Sequence, residues 1–304
     1  MSIAPPLINI IGAGPLGQTL AHLWQDQGLL QIQQVLTRSY ESAQSACQFI
    51  GAGKPCRVIT EFKPAKFWLI AAPDKSLASL ASELAQTALI NSGNIVFHCS
   101  GALSSDILSP LQQQGARTAS VHPIHSFAAP SRSIQTFNGS HCALEGSEPA
   151  LQQLTPLFEG IGGQSFQLES RQKSLYHAGS VMACNYLVSL LEASRETFAL
   201  AGIDEKTSNA LIGPLVQQTA ENLLGTQSTG HGQSAASALT GPIARGDHAI
   251  VAQQLQLLSE AKPELAEIYR CLGRKTLQIA REKAAADTQQ LDAIEVTLNS
   301  TANE

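Results

Sequence analysis

Apolar residues in the first half of the chain fall into short runs of strand length, separated by amphipathic stretches and turn-forming residues. The runs are Leu7 to Ile11, Gln31 to Thr37 with Ile32, Val35 and Leu36, Arg57 to Thr60, Phe67 to Asp74, and Asn94 to Gly101. Between them, Gln18 to Gln27 sets Leu20, Leu23 and Trp24 on one helical face, and Ser76 to about Thr87 reads as a second helix. Strands alternating with helices predict an α/β fold with a doubly wound, mostly parallel sheet. Strands at Thr118–Val121, His141–Leu144 and Gln164–Leu168, around a helix from Glu148 to Phe158, complete a first domain over 1–168. From Glu169 the alternation stops. Long helical segments over Gln172–Ala201, His248–Ser259 and Pro263 to about Ala286 predict an all-helical domain over 169–286, followed by a loosely held tail over 287–304.

The first strand breaks into Gly12-Ala13-Gly14-Pro15-Leu16-Gly17, three glycines spaced G-x-G-x-x-G at a strand-to-helix junction. Gly12 permits the sharp turn, Gly14 leaves no Cβ between backbone and a pyrophosphate, and Gly17 lets the helix press on the sheet. Pro15 suits a first helical turn, whose free N–H groups and positive dipole end face the glycines, where an anion would sit. The six residues are therefore expected to bind a dinucleotide.

About 20 residues past the glycines, a carboxylate accepts from the ribose 2′-OH of NAD, whereas an arginine accommodates the 2′-phosphate of NADP. Here Thr37-Arg38-Ser39 occupies that place, which predicts NADP over NAD, although Glu41 stands close by. Ala72-Pro73 and Ser100 end two further strands and are expected to line the same cleft. His122-Pro123-Ile124-His125-Ser126-Phe127 carries two imidazoles and a hydroxyl out of another strand. No Cys, Asp or Glu completes a metal set there, so no metal is expected. Either the loop hydrogen-bonds a substrate carboxylate or carbonyl through His122, His125 and Ser126, or its imidazoles satisfy loop carbonyls.

In the helical part, Lys173, His177, Ser180 and Cys184 share one stripe, with Asn185 roughly 80° round the axis from His177. The stripe faces the cofactor cleft or satisfies hydrogen bonds inside a helical interface. Gly202 ends this helix and Asp204 caps the next. A glycine-rich loop over 225–232 precedes Leu239-Thr240-Gly241-Pro242-Ile243-Ala244-Arg245-Gly246-Asp247. In that segment Thr240 and Arg245 are candidate substrate ligands, Arg245 by a bidentate clamp on a carboxylate. The alternatives are an Arg245–Asp247 pair and Asp247 as a helix cap.

Composition narrows the classes. A length of 304 residues with 43% hydrophobic content suggests two domains, and a net charge of −5 without basic clusters argues against nucleic acid. Only 14% of residues are charged, and such helices favour burial in a homodimer. Met1 to Pro6 lacks a basic leader, and no apolar run reaches membrane-span length, so the expectation is a cytoplasmic protein without membrane contact. Six cysteines, at 47, 56, 99, 142, 184 and 271, include no C-x-x-C pair and read as reduced thiols.

The glycine loop, the 122–127 segment, Tyr176-His177-Ala178 with Asn185, and the 239–247 segment together resemble a bacterial family that pairs a Rossmann-like domain with a helical C-terminal domain of unknown function. More distantly, the chain is similar to pyrroline-5-carboxylate reductase, ketopantoate reductase and the 3-hydroxyacid dehydrogenases. That resemblance implies a helical dimerising domain and a site between domains; from their places at a strand end and on the first helix of the second domain, His122, His177 and Asn185 are expected to converge there. The hydroxyacid relatives place an Asn four residues after a helix lysine; here Lys173 matches the lysine and His177 stands in the Asn position. The expected activity is NADP-dependent hydride transfer to or from a small keto, hydroxy or imino acid. His177 is first choice as proton donor, Lys173 second, and His122 and Asn185 assist. The alternative is a dinucleotide-binding sensor or scaffold without chemistry.

Overall fold

Eight strands form one sheet in the order β3-β2-β1-β4-β5-β6-β7-β8 in the computed structural model, which describes residues 4–225 and 232–300. In chain order the elements are β1 (Leu7–Ile11), α1 (Pro15–Asp26), β2 (Gln31–Leu36), α2 (Tyr40–Ile50), β3 (Lys54–Cys56), β4 (Phe67–Ile70), α3 (Asp74–Ala85), β5 (Ile95–His98), α4 (Ser109–Gln112), β6 (Arg117–Pro123), α5 (Pro130–Thr136), β7 (His141–Gly146), α6 (Glu148–Glu159) and β8 (Gln164–Gln167). Strands β1 to β6 are parallel, β7 runs antiparallel to β6, and β8 parallels β7. The chain winds outward from β1 to β3, then restarts at β4 on the other side of β1. This reversal makes the β1/β4 crevice the switch point, where open α/β sheets bind their ligands.

Helices cover both faces of the sheet, so its inner strands are apolar at successive positions rather than alternating with polar ones. Phe67 and Leu69 of β4 join Leu20, Trp24 and Phe158 in one core, while Trp68 and Ile70 join Leu77, Leu84 and Leu111 in the other. Trp24 anchors the first core, with edge-on contacts to Phe97 and Phe158 and an indole N–H donated to the Leu157 carbonyl at 2.9 Å.

The strand expected over Arg57–Thr60 lies earlier, at Lys54–Cys56, and Ile59–Glu61 is a 3₁₀ turn. Two buried amides explain the shift. Gln34 accepts from the Lys63 N–H and donates to the Glu61 carbonyl, and Asn9 donates to the Lys63 carbonyl. Held by these bonds, residues 59–63 curl under the sheet, with Ile59 and Phe62 buried.

The chain divides into two compact units, Met1–Met182 and Ala183–Glu304. Helix α7 (Lys173–Leu200) runs through that division, so its first turns belong to the unit that contains the sheet. The rest is helical: α8 (Glu205–Leu224), α9 (Ala235–Ala238), α10 (Pro242–Arg245), α11 (His248–Ala261), α12 (Pro263–Lys283) and α13 (Thr288–Asn299). Asp204 caps α8 as expected, accepting from the Thr207 N–H at 2.9 Å. The expected glycine-rich loop over 225–232 falls mostly on 226–231, outside the described residues. Among the described residues no helix is long and apolar enough to cross a membrane.

The expected loose tail is instead helix α13, and its packing explains why. Leu291, Ile294 and Leu298 are buried with Ile243, Val251 and Leu277. Arg281 bridges Asp292 and Glu295 at 2.7 Å each, and Gly273 leaves room for Leu298, whose Cδ2 would stand 2.8 Å from a Cβ there. Ile294→Ala is expected to destabilise the second unit by about 2–5 kcal/mol, the range for deleting a buried branched side chain. An unchanged urea midpoint would return residues 288–299 to the status of a loose tail.

Candidate functional site

Two of the three glycines of the first loop sit where no side chain would fit. Gly12 has φ +90°, and a Cβ there would stand 2.5 Å from the Ala71 carbonyl oxygen, closing the β1/β4 crevice. A Cβ on Gly17 would meet the Gly12 carbonyl oxygen at 2.9 Å, so α1 can approach the turn only as glycine. Gly14 opens onto free space and precedes Pro15 as the residue flanking α1, and no side chain caps that helix. Unfilled volume beside an uncapped helix N-terminus suits a pyrophosphate, while Pro15 presets the first turn without supplying a donor. Ala72 and Pro73 follow β4 beside this loop, Pro73 flanking the start of α3.

A second cluster gathers at the ends of β5 and β6. Ser100, just past β5, uses all of its polar groups within the protein. Its N–H donates to His98 Nδ1 (3.1 Å), and its hydroxyl donates to Asp74 Oδ2 (2.9 Å) and accepts from the Ala102 and Leu103 N–H groups. Its carbonyl accepts from Lys173 Nζ (3.0 Å) and from Ser120 Oγ (3.2 Å). Ser100, expected as a cofactor ligand, is thus a structural knot, because no donor or acceptor on it is left over. Lys173 is only 1% exposed and donates a second bond to Ser120 Oγ at 2.8 Å.

The knot fixes Gly101, and two imidazoles lie against it. A Cβ on Gly101 would stand 2.9 Å from both Cε1 and Nε2 of His122 and would overlap Nδ1 of His177. The two rings are 5.7 Å apart, centroid to centroid, with their planes at 84°. His122 comes from β6 and His177 from the second turn of α7, so the sheet and the helix each deliver one ring. Tyr176, beside His177, places its hydroxyl 2.8 Å from His122 Nδ1.

The surroundings set the protonation states. Burial, then the nearby Lys173 and His177, push the His122 pKa from 6.5 down to about 4, so the ring is neutral near pH 7. Burial also raises the Tyr176 phenol above its ordinary value, so it keeps its proton and donates it to Nδ1. The His122 proton then resides on Nε2, which makes this ring a neutral hydrogen-bond donor. For Lys173, burial lowers the pKa, partly offset by Glu145, Cys99 and Asp74. His177 Nδ1 is enclosed without a hydrogen-bond partner, which leaves Nε2 as its working nitrogen.

The remaining expected residues go elsewhere. His125 spends both ring nitrogens locally, on Ser140 Oγ (3.0 Å) and Thr136 Oγ1 (3.2 Å), among Phe127 and Phe137, so it braces α5 rather than meeting substrate. Ser126 is exposed. Thr37 Oγ1 donates to the Ser39 carbonyl, and Ser39 Oγ caps α2 by accepting from the Ser42 N–H. Both hydroxyls expected beside a phosphate are therefore taken by the local turn, while Arg38 is exposed. Asn185 and Cys184, also exposed, belong to the second unit, as do Thr240 and Arg245. Arg245 pairs with Asp247 at 2.9 Å, and Asp247 makes no side-chain capping bond to α11, so the structural alternative for this pair is the one observed. Sequence reasoning set Gly101 at a strand end on the cleft but missed its packing against both imidazoles and the tie of Tyr176 to His122; for the latter, the adjacency of Tyr176 to His177 is the signal in the sequence.

Residues 3–123 match the model of a Rossmann-like domain family, and residues 140–276 match that of a domain of unknown function, DUF2520. The expected pairing is therefore present. A comparison with curated proteins finds no match. Among solved structures, the chain is similar to the NADP-oxidoreductase candidate BF3122 from Bacteroides fragilis, at 21% identity over 90% of this chain and 99% of that one, TM-score 0.73. Protein TM1727 from Thermotoga maritima is 26% identical over 91% and 99%, TM-score 0.69. A pyrroline carboxylate reductase from Plasmodium falciparum with NADP bound is 10% identical over 93% and 100%, TM-score 0.58.

Two measurements test the protonation scheme. Nitrogen-15 NMR should show His122 protonated at Nε2 at pH 7, and Tyr176→Phe should redistribute the tautomers; a proton on Nδ1 in the wild type would overturn the assignment. Burial also lowers the His98 pKa from 6.5 to about 4. Between those values the unfolded chain holds more protons than the folded one, so stability falls as pH drops from about 6.5 towards 4. For His98, wholly buried on β5, the loss is about 3 kcal/mol. Urea midpoints across this range should fall less steeply in His98→Gln, and an unaltered slope would refute the contribution.

Proposed function

We propose that this chain, in which a Rossmann-like domain is joined to a DUF2520 region, is an NADP-dependent oxidoreductase. It transfers hydride to or from a small keto or hydroxy acid, or an imino acid. One observation carries the reading: the glycine loop at the β1/β4 switch point and the paired imidazoles at the ends of β5 and β6 share the carboxyl edge of one sheet. The similar Plasmodium falciparum reductase, with NADP bound, supports it.

In this reading residues 12–17 hold the pyrophosphate and Arg38 reads the 2′-phosphate. NADPH supplies the hydride when bound. The chain itself must orient the C=O or C=N group and deliver a proton to the heteroatom as electrons arrive there. His122, neutral with its proton on Nε2, donates a hydrogen bond to the substrate heteroatom. His177 releases the proton from Nε2. Lys173 is a positioning residue, since its buried ammonium is committed to Ser100 and Ser120.

The same reading includes assembly. Along α7 only Lys173 and Ala193 are buried, while Leu175, Met182 and Tyr186, which share one face, are 60–79% exposed. An apolar helix face of this extent exceeds what monomers ordinarily leave in water. Its occupant is a second copy of the chain, in a homodimer through the helical part.

His177→Ala should lower turnover by roughly 10²- to 10⁴-fold over a panel of keto and imino acids while NADPH affinity stays unchanged. Wild-type turnover in that variant would remove the acid assignment. A wild-type protein that binds NADPH yet turns over nothing on the panel would favour the non-catalytic sensor. Light scattering should return about twice the single-chain mass of 32.2 kDa; the single-chain value at micromolar concentration would exclude the dimer.

A further inference from the structure

We propose that Arg57 is a second guanidinium for the adenosine 2′-phosphate, held in place by the ring of Tyr40. The inference rests on the reading of Arg38 as the 2′-phosphate residue. It starts from strand register. Edge strand β3 pairs in parallel with β2, Cys56 opposite Leu36. The next residue of each strand leaves the sheet at the same edge, which sets Arg57 alongside Thr37, at the head of Thr37-Arg38-Ser39. Because β3 lies at Lys54–Cys56 rather than at 57–60, Arg57 is the residue at this strand end and not part of a strand.

The side chain is directed as well as close. The Arg57 guanidinium carbon lies 4.0 Å from the centroid of the Tyr40 ring, a cation–π stack. Tyr40 opens α2 immediately after its cap Ser39, so the ring that holds Arg57 stands on the turn that carries Arg38. A stacked guanidinium keeps its edge N–H groups free for bidentate bonding to a phosphate. Among the described residues neither Arg38 nor Arg57 makes an ion pair, and both are exposed. The nearest carboxylate in sequence, Glu61, accepts from the Arg57 backbone N–H at 2.7 Å and so is committed to the 3₁₀ turn.

The hydroxyls of this turn point the same way. Thr37 and Ser39 spend theirs on the turn and on the α2 cap. A dianionic phosphate here must be recognised by cations, and a second cation is what the β3 end provides. The arrangement therefore assigns preference for a 2′-phosphorylated nucleotide to two strand ends rather than one.

Calorimetric titration of the full chain with NADP⁺ and NAD⁺ tests this. The wild type should prefer NADP⁺, and Arg57→Leu should weaken NADP⁺ about tenfold to a hundredfold, as for loss of charged hydrogen bonds, while NAD⁺ affinity stays constant. Tyr40→Phe should keep the preference and Tyr40→Leu should reduce it, because the stack needs an aromatic face and not the hydroxyl. If Arg38→Leu abolishes the preference while Arg57→Leu leaves it intact, the Arg57 assignment falls and the reading of Arg38 stands. If the wild type binds both nucleotides equally, both fall.

Discussion

The candidate site depends on the peptide between Ser100 and Gly101. Its position is over-determined: His98 holds the amide side of Ser100, Asp74 the hydroxyl, and Lys173 and Ser120 the carbonyl. Gly101 contributes by what it lacks, since any side chain there would occupy the space of both imidazoles. A buried ammonium costs free energy unless hydrogen-bonded, and Lys173 meets that requirement by binding this peptide and Ser120 Oγ, which itself donates to the same carbonyl. Lysine and turn therefore stabilise each other, and the histidines rest on the result.

The sheet makes such local precision possible. Strands β4 and β5 are covered on both faces by large cores, so their ends cannot tilt without disturbing Trp68 on one side or Trp24 and Phe97 on the other. Groups on strand ends supported in this way keep their spacing, which a reaction needing two aligned partners requires. The chain places its glycine loop and its imidazoles along the same edge of this one sheet.

Much of this was legible from residue order. The glycine spacing carried its own geometry, because Gly12 and Gly17 stand where an added Cβ would collide with backbone. His122 and His177 were visible as polar residues at a strand end and on an apolar helix. What stayed hidden depended on partners distant in sequence. Ser100 and His125 carry functional-looking groups that turned out to be satisfied internally, and no local pattern reveals how many bonds a side chain has already made. Arg57-Val58-Ile59-Thr60 has strand propensity, yet amides from β1 and β2 captured the following backbone and moved the strand. The apolar residues of the helix at 288–299 are sparse in sequence; Leu291, Ile294 and Leu298 suffice because they join one cluster with Ile243, Val251 and Leu277, Leu298 over Gly273.

Burial and electrostatics fix the state of one of the two imidazoles. Lys173 places positive charge beside the site, and together with burial this holds His122 neutral near pH 7. A neutral ring with a fixed tautomer can donate a hydrogen bond to a developing anion without giving its proton away, which is the role Tyr176 enforces from Nδ1. In the other ring, His177, Nδ1 is enclosed over Gly101 without a hydrogen-bond partner. Four residues before His177 on the same helix, Lys173 is committed to the Ser100 carbonyl and to Ser120 Oγ, so the lysine holds the turn on which both rings rest.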